Sequence, residues 1–251
     1  MSYRKHHVKN KIKQIKPKKR FYKKPRFWIF SLFLIIFFGA AYFILFYSEF
    51  QIANISVAGN EKIKTQEIQN IANYNINKNI SRSIFLIDEK KLEKNILSQF
   101  LAIEKVSAKK QFPKTMILNI TERTHLGIFC SKNCSLFDEN GVAFETVDKE
   151  IDGFSVLRGD KINKNIAQAF NKIKKNFQEN FQINVKETIL LNSLRLDVKT
   201  SEGWEAYFDL SSDINLQITK LNALLKGDLS QETRKNIQYI DLRFKDRAYY
   251  K

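Results

Sequence analysis

Two cysteines four residues apart, Cys130 and Cys134, follow closely on a single histidine, His125, and these are the side chains best suited to chemistry. Zinc would need a fourth ligand beside His125, Cys130 and Cys134, and none is evident. A local disulfide Cys130–Cys134 is the other use, and so short a loop gains only about 2 kcal/mol in the chain-entropy model. Two free thiols stand as its alternative. The bond requires an oxidising compartment. His125 otherwise reads as a strand residue with a satisfied ring. His6 and His7 lie in the first 26 residues, away from any acid. Asp138 and Glu139 are adjacent but belong to an Asp-Glu-Asn-Gly turn, where solvated acids are ordinary. No Ser/His/Asp arrangement and no glycine-rich phosphate loop can be assembled. The expectation is a protein with no catalytic residues, no cofactor and no metal.

The compartment is read from the first 47 residues. Met1–Arg26 carries twelve Lys/Arg and no acid, and Phe27–Tyr47 is 21 residues without a charge. A helix of that length spans roughly 31 Å, the thickness of a bilayer's hydrocarbon core. The basic flank places the tail in the cytoplasm and residues 48–251 outside. A signal peptide cleaved near Gly39-Ala40-Ala41 is the rival, but the apolar run resumes beyond that point at Tyr42–Phe46. The tail's charge would also suit phosphate binding. A topology signal explains it without a further partner, so no nucleic acid is expected. Lys16-Pro17 and Lys24-Pro25 disfavour a continuous helix in the tail. Of the formal charge of +17, the tail holds twelve units, so the body is only mildly basic.

The body divides by pattern into 50–123 and 124–251, after the tail (1–26) and the span (27–47). In the first part, Ala53, Ile55 and Val57 alternate into a turn at Gly59-Asn60. Thr65 can cap a helix with Ile68, Ile71 and Ala72 on its apolar face. Asp88 can cap a second, with Ile87 and Leu92 forming a hydrophobic staple and Ile96, Leu97 and Phe100 continuing the buried side. Lys105–Gln111 and Thr115–Glu122 alternate around a Phe112-Pro113 turn. The order is β-α-α-β-β. In the second part, His125–Cys130 and Phe154–Leu157 read as strands, Ser135–Glu145 as a hairpin around Asp138-Glu139-Asn140-Gly141, and Asn163–Phe177 as an amphipathic helix. Three strands follow near Val185–Leu190, Leu194–Lys199 and Trp204–Asp209. A helix from Ile214 ends at Gly227, and Gln238–Tyr250 reads as a closing strand. The fold class is α+β.

In this order the strings Ile55-Ser56-Val57-Ala58-Gly59-Asn60, Ser83-Ile84-Phe85-Leu86-Ile87-Asp88, Val106–Lys110, Phe112-Pro113-Lys114-Thr115 and Ile120-Thr121-Glu122-Arg123 follow a basic tail and one anchor. Together they resemble the POTRA domain of the FtsQ/DivIB family of bacterial cell-division proteins. Tyr239-Ile240-Asp241-Leu242-Arg243-Phe244 resembles that family's closing strand. An outer-membrane barrel, the other home of POTRA domains, needs more amphipathic strands than this chain has room for.

The resemblance implies a non-enzymatic division scaffold of the inner membrane, recruited to the septum and linking early and late components. It implies capture of FtsB/FtsL-type partners by β-strand addition to the closing strand, and of other division proteins by the POTRA domain. The matching positions are Asp241, Leu242, Arg243 and Phe244, with Asp246 and Arg247 just beyond and Tyr249 and Tyr250 extending the aromatic patch. The expected roles are backbone pairing along Leu242–Ala248, an ion pair from Arg243 to a partner acid, and an aromatic anchor from Phe244. Phe244 stands where the family has tyrosine. Leu242 and Phe244 filling the domain's own core is the alternative. A membrane-anchored envelope enzyme or binding protein with an unrecognised site is the competing function.

Overall fold

A computed structural model describes residues 24–148, 153–227 and 229–251. The basic tail up to Lys23, with His6 and His7, lies outside them. Helix α1 (Pro25–Phe46) carries no charge after Arg26 and no buried residue. It is long and apolar enough to cross a membrane. Proline at its first position costs nothing, because that N–H has no helical acceptor. A single 3-10 turn (Ser48–Phe50) ends it.

Two bodies of structure follow. The first is β1 (Asn54–Ala58), α2 (Thr65–Asn77), α3 (Glu89–Gln99), β2 (Ile103–Gln111) and β3 (Thr115–Glu122), the β-α-α-β-β order. The sheet order is β1-β3-β2, with β1 parallel and β2 antiparallel to β3. Its core joins Ile68, Ala72 and Ile76 of α2, Leu92 and Ile96 of α3, and Val106, Ala108, Met116, Leu118 and Ile120 of the sheet. Asp88 caps α3 by accepting from the Lys91 N–H at 3.1 Å, and Ile87 and Leu92 are both buried.

Two local expectations fail here. Thr65 is the first helical residue rather than the cap of α2, and its hydroxyl instead accepts from the Asn60 amide at 3.1 Å. Ala53 is exposed and Ile52 buried, because the Ile52 N–H bonds the Arg82 carbonyl and turns its side chain inward before β1 begins. Gly59 has φ of +85°, and a Cβ there would lie 2.3 Å from the Ile120 carbonyl oxygen. Only glycine allows β1 to turn so close to β3.

The second body is a sheet of nine strands among the described residues, ordered β12-β11-β10-β9-β8-β7-β4-β5-β6. Its elements in chain order are β4 (Gly127–Cys130), β5 (Cys134–Phe137), β6 (Ala143–Val147), β7 (Val156–Arg158), α4 (Lys164–Phe181), β8 (Val185–Leu191), β9 (Arg195–Thr200), β10 (Glu205–Asp209), α5 (Ile214–Lys226), α6 (Gln231–Arg234), β11 (Tyr239–Asp241) and β12 (Tyr249–Tyr250). Both long helices share one core with the sheet: Phe170, Ile173 and Phe177 of α4 and Leu221 and Leu225 of α5 meet Leu196, Val198, Trp204, Ala206, Phe208 and Ile240. Helix α4 runs one turn past the expected Phe177, to a left-handed Gln182. Gly227 ends α5 without entering the left-handed region, so its expected capping geometry is absent. The Cys130 and Cys134 sulfurs are bonded to each other across the β4–β5 turn.

Candidate functional site

The side chains first considered for chemistry are dispersed. His125 is exposed in the segment before β4, its ring 5.0 Å from that of Phe154, and it is not a strand residue. Among the described residues no group of His, Cys, Asp or Glu could hold a metal. Asp138 is not a solvated turn acid. Its side chain is 4% exposed and meets the Arg123 guanidinium at 2.5 Å. It also accepts from the Asn140 and Val142 N–H groups at 3.0 and 2.8 Å. Burial is tolerated because both carboxylate oxygens have a donor. Arg123 also donates to the Leu101 carbonyl, so one side chain ties the first body to the second.

The C-terminal stretch differs most from expectation. Gln238–Tyr250 is not one strand: β11 stops at Asp241, residues 242–248 bend away, and β12 returns antiparallel to β11. The edge of β11 is therefore occupied by the chain's own terminus, with Ile240 opposite Tyr250 and Asp241 opposite Tyr249. The cause is visible in the pins that hold the bend. Lys220 of α5 donates to the carbonyls of Leu242, at 2.8 Å, and of Phe244. Leu242 still donates its N–H to the Tyr207 carbonyl at 3.0 Å, and beyond it the two bonds to Lys220 hold the backbone toward α5.

The side chains sort accordingly. Leu242 is fully buried and belongs to the domain's own core, so it is no partner contact in this conformation. Asp241 is buried too, and Arg243 grips it with Nε at 2.8 Å and Nη2 at 2.6 Å. The expected ion pair from Arg243 to a partner acid is thus already made within the chain. Burial, the largest single influence, pushes the Asp241 carboxyl upward, but the Arg243 hydrogen bonds and charge together hold it below the usual range. Arg243 lies on the face of the sheet away from α4 and α5, its guanidinium 5.7 Å from the Tyr207 ring, which Arg195 covers at 4.4 Å. Phe244 is 48% exposed and packs edge-on against Tyr249, with ring centres 4.8 Å apart. Asp246, Arg247, Tyr249 and Tyr250 are all exposed. A groove of 330 Å³ runs between the start of α5 and residues 242–245, with Leu216, Lys220 and Phe244 on its walls.

Hydrogen-bond alternation along β12 decides what its outer side offers. Lys251 exchanges both backbone bonds with Tyr239. In an antiparallel pair the next residue therefore points its N–H and C=O the other way. Tyr250, and Ala248 two residues before it, present their backbone groups outward, where no further strand lies among the described residues. The edge is exposed and lies beside the rings of Phe244, Tyr249 and Tyr250. Lys220 was missed by sequence reasoning because nothing local marks a helix lysine for carbonyls over twenty residues away.

A family model described as the FtsQ-type POTRA domain matches residues 50–123, and one for the cell division protein FtsQ/DivIB, C-terminal, matches residues 130–243. The chain belongs to the FtsQ/DivIB family. It is a cell-division protein, and the one long apolar helix among the described residues supports a single-pass membrane protein. The first body is accordingly the POTRA domain, and the nine-stranded sheet contains the FtsQ/DivIB C-terminal match. No curated protein matches the sequence. The C-terminal match ends at Arg243, so Phe244, the bend and β12 lie beyond it.

Proposed function

We propose that this protein is a non-enzymatic divisome scaffold of the inner membrane. Its basic tail lies in the cytoplasm, its body lies in an oxidising periplasm where Cys130–Cys134 is bonded, and it acts at the septum. The POTRA domain serves recruitment and contacts with other division proteins. The nine-stranded sheet captures an extended segment of an FtsB/FtsL-type partner by β-strand addition. The observation that carries this reading is the outward-facing backbone of β12 at the end of the sheet, beside the rings of Phe244, Tyr249 and Tyr250. Pairing falls on Ala248–Tyr250, rather than along the bend at 242–247. Phe244 is the aromatic anchor, and Asp246 and Arg247 supply rim charge, which tunes encounter more than affinity.

Tyr250→Pro tests it. Proline removes the outward N–H and is tolerated on an edge strand, because that N–H serves no bond within the sheet. Capture of the partner should fall about tenfold or more, the order of one hydrogen bond plus steric exclusion. Circular dichroism and thermal unfolding should match the parent. Undiminished capture by a folded chain carrying both Tyr250→Pro and Phe244→Asp would remove β12 as the docking edge.

A further inference from the structure

An unbroken file of aromatic rings runs from inside the membrane span to the tip of the POTRA domain. Phe43 stacks on Tyr47 with centroids 4.3 Å apart, Tyr47 meets Phe50 at 5.9 Å, Phe50 meets Phe85 at 5.3 Å, and Phe85 meets Phe112 at 5.4 Å. Phe43 belongs to α1, whereas Phe112 sits in the β2–β3 turn. The outer rings are not core: Phe85 is 49% exposed, Phe112 57%, and neighbouring Leu86 38%. Ile80, Tyr74 and Leu101 of this domain are exposed as well, but the file of rings is contiguous, and a contiguous apolar patch marks a surface that something covers.

Its attachment to the span says what covers it. The last-turn carbonyls of α1 lack helical donors. The Ser83 hydroxyl donates to the Ile44 carbonyl at 3.0 Å, and the Gln51 amide to the Leu45 carbonyl at 2.7 Å. The Ile84 N–H bonds the Phe50 carbonyl at 2.8 Å, which holds the segment bearing Phe85 against the helix exit. The domain is therefore fastened to the helix end rather than tethered by a loose linker. Lys114, two residues from Phe112, pairs with Glu49 just after the span at 3.3 Å.

We propose that Phe85, Leu86 and Phe112 form a membrane-interface foot that seats the POTRA domain on the outer leaflet of its own membrane. Aromatic rings settle at the boundary between headgroups and acyl chains, and rings adding apolar area beside an anchor bind without losing translational freedom again. The occupant is the lipid surface, because the patch continues a helix that already lies in lipid. The foot fixes the tilt of the body over the membrane, and so the height and direction at which the sheet edge is presented.

Spin labelling of the full chain in phosphatidylethanolamine/phosphatidylglycerol vesicles tests this. Both native cysteines are in the disulfide, so a single introduced cysteine takes the label. Oxygen partitions into lipid and a nickel chelate into water, and the ratio of the two relaxation effects reports depth. Labels at Phe112→Cys and Phe85→Cys should give a ratio several-fold above that at Leu194→Cys, an exposed turn of the second domain, and below that at Phe38→Cys in α1. Adding Phe85→Asp to the Phe112 label should return it to the aqueous value. A water-like ratio at both feet with a lipid-like Phe38 overturns the proposal while leaving the anchor intact. So does a foot label that becomes shielded only when a protein partner is added. A water-like Phe38 overturns both the anchor and the foot.

Discussion

At the scale of single residues, Arg243 shows how a motif and its role can separate. Its spacing after Asp241 invites a partner contact, yet its guanidinium neutralises a buried carboxylate two residues back on the same strand end. Replacing it by methionine leaves Asp241 buried with its burial penalty uncompensated. Because the Arg243 side chain is 34% exposed, solvent relieves part of that cost, and about 1–2 kcal/mol of destabilisation at pH 7 is expected. The pH dependence has a definite sign. Asp241 titrates below its ordinary value in the folded protein, so its contribution is present above the unfolded pKa of about 3.9 and is lost as pH falls through the folded value. The difference between parent and Arg243→Met should therefore be constant near neutrality and shrink on acidification, starting above the ordinary carboxylate value, where the uncompensated Asp241 of the variant takes up its proton. Urea titrations followed by fluorescence of the buried Trp204 check this. A difference that grows on acidification would mean that the pair does not hold the carboxylate. Asp138 teaches the same lesson: a turn motif announces an acid, but only the remote Arg123 explains why it is buried.

At the scale of elements, periodicity carried most of the information. The three strands of the POTRA domain, helix α3 and the run β8-β9-β10 lie where alternation and helical spacing place them, because each buries one face and turn residues break the pattern between them. What the sequence hid is how edges are satisfied. Strand β2 is an edge, and α3 covers it with two carboxylates: Glu93 accepts from the Ala108 N–H at 2.8 Å and Glu89 from the Lys110 N–H at 3.0 Å. Four residues of helix rise about 6 Å and two of strand about 6.8 Å, so the spacings match. An exposed-looking glutamate pair gives no such hint when read along the chain. The closing strand failed for a related reason: alternation through Ile240, Leu242 and Phe244 is real, but Lys220 pulls the backbone out of the ladder after the second of them. The packing of α3 on its sheet rests on Leu92 and Ile96, both buried. Truncating either to alanine should cost about 2–5 kcal/mol, including the cavity left behind. Hydrogen exchange of β2 and β3 amides isolates this domain from the second, and protection unchanged in both variants would contradict the assigned core.

At the scale of the whole molecule, the membrane frame was the most legible feature, since a run of 21 uncharged residues has few other uses. The seating of the first domain on that frame was not, because it depends on rings from three separated segments meeting in space. Nor was the end of the sheet, which is set by the terminus folding back on β11. The proposed direction across the membrane rests on charge alone. Twelve basic residues precede the span, and Glu49 is the first charge after it. Each cation resists transfer through the bilayer, and basic flanks stay on the cytoplasmic side. A phosphatase active only outside the cytoplasm should therefore work when fused after Lys251 and fail when fused within residues 1–26. Replacing the twelve basic residues with Ser or Gln and inserting Lys/Arg after Tyr47 should weaken or invert that pattern. Glu49 exerts little pull in either direction, since acids contribute weakly to orientation, so Glu49→Gln alone should leave it unchanged. Strong activity from the N-terminal fusions of the unaltered chain would place the sheet edge in the cytoplasm and separate it from any partner outside. A mature species beginning near Tyr42 would instead turn the helix into a cleaved leader, leaving the ring file without its membrane end.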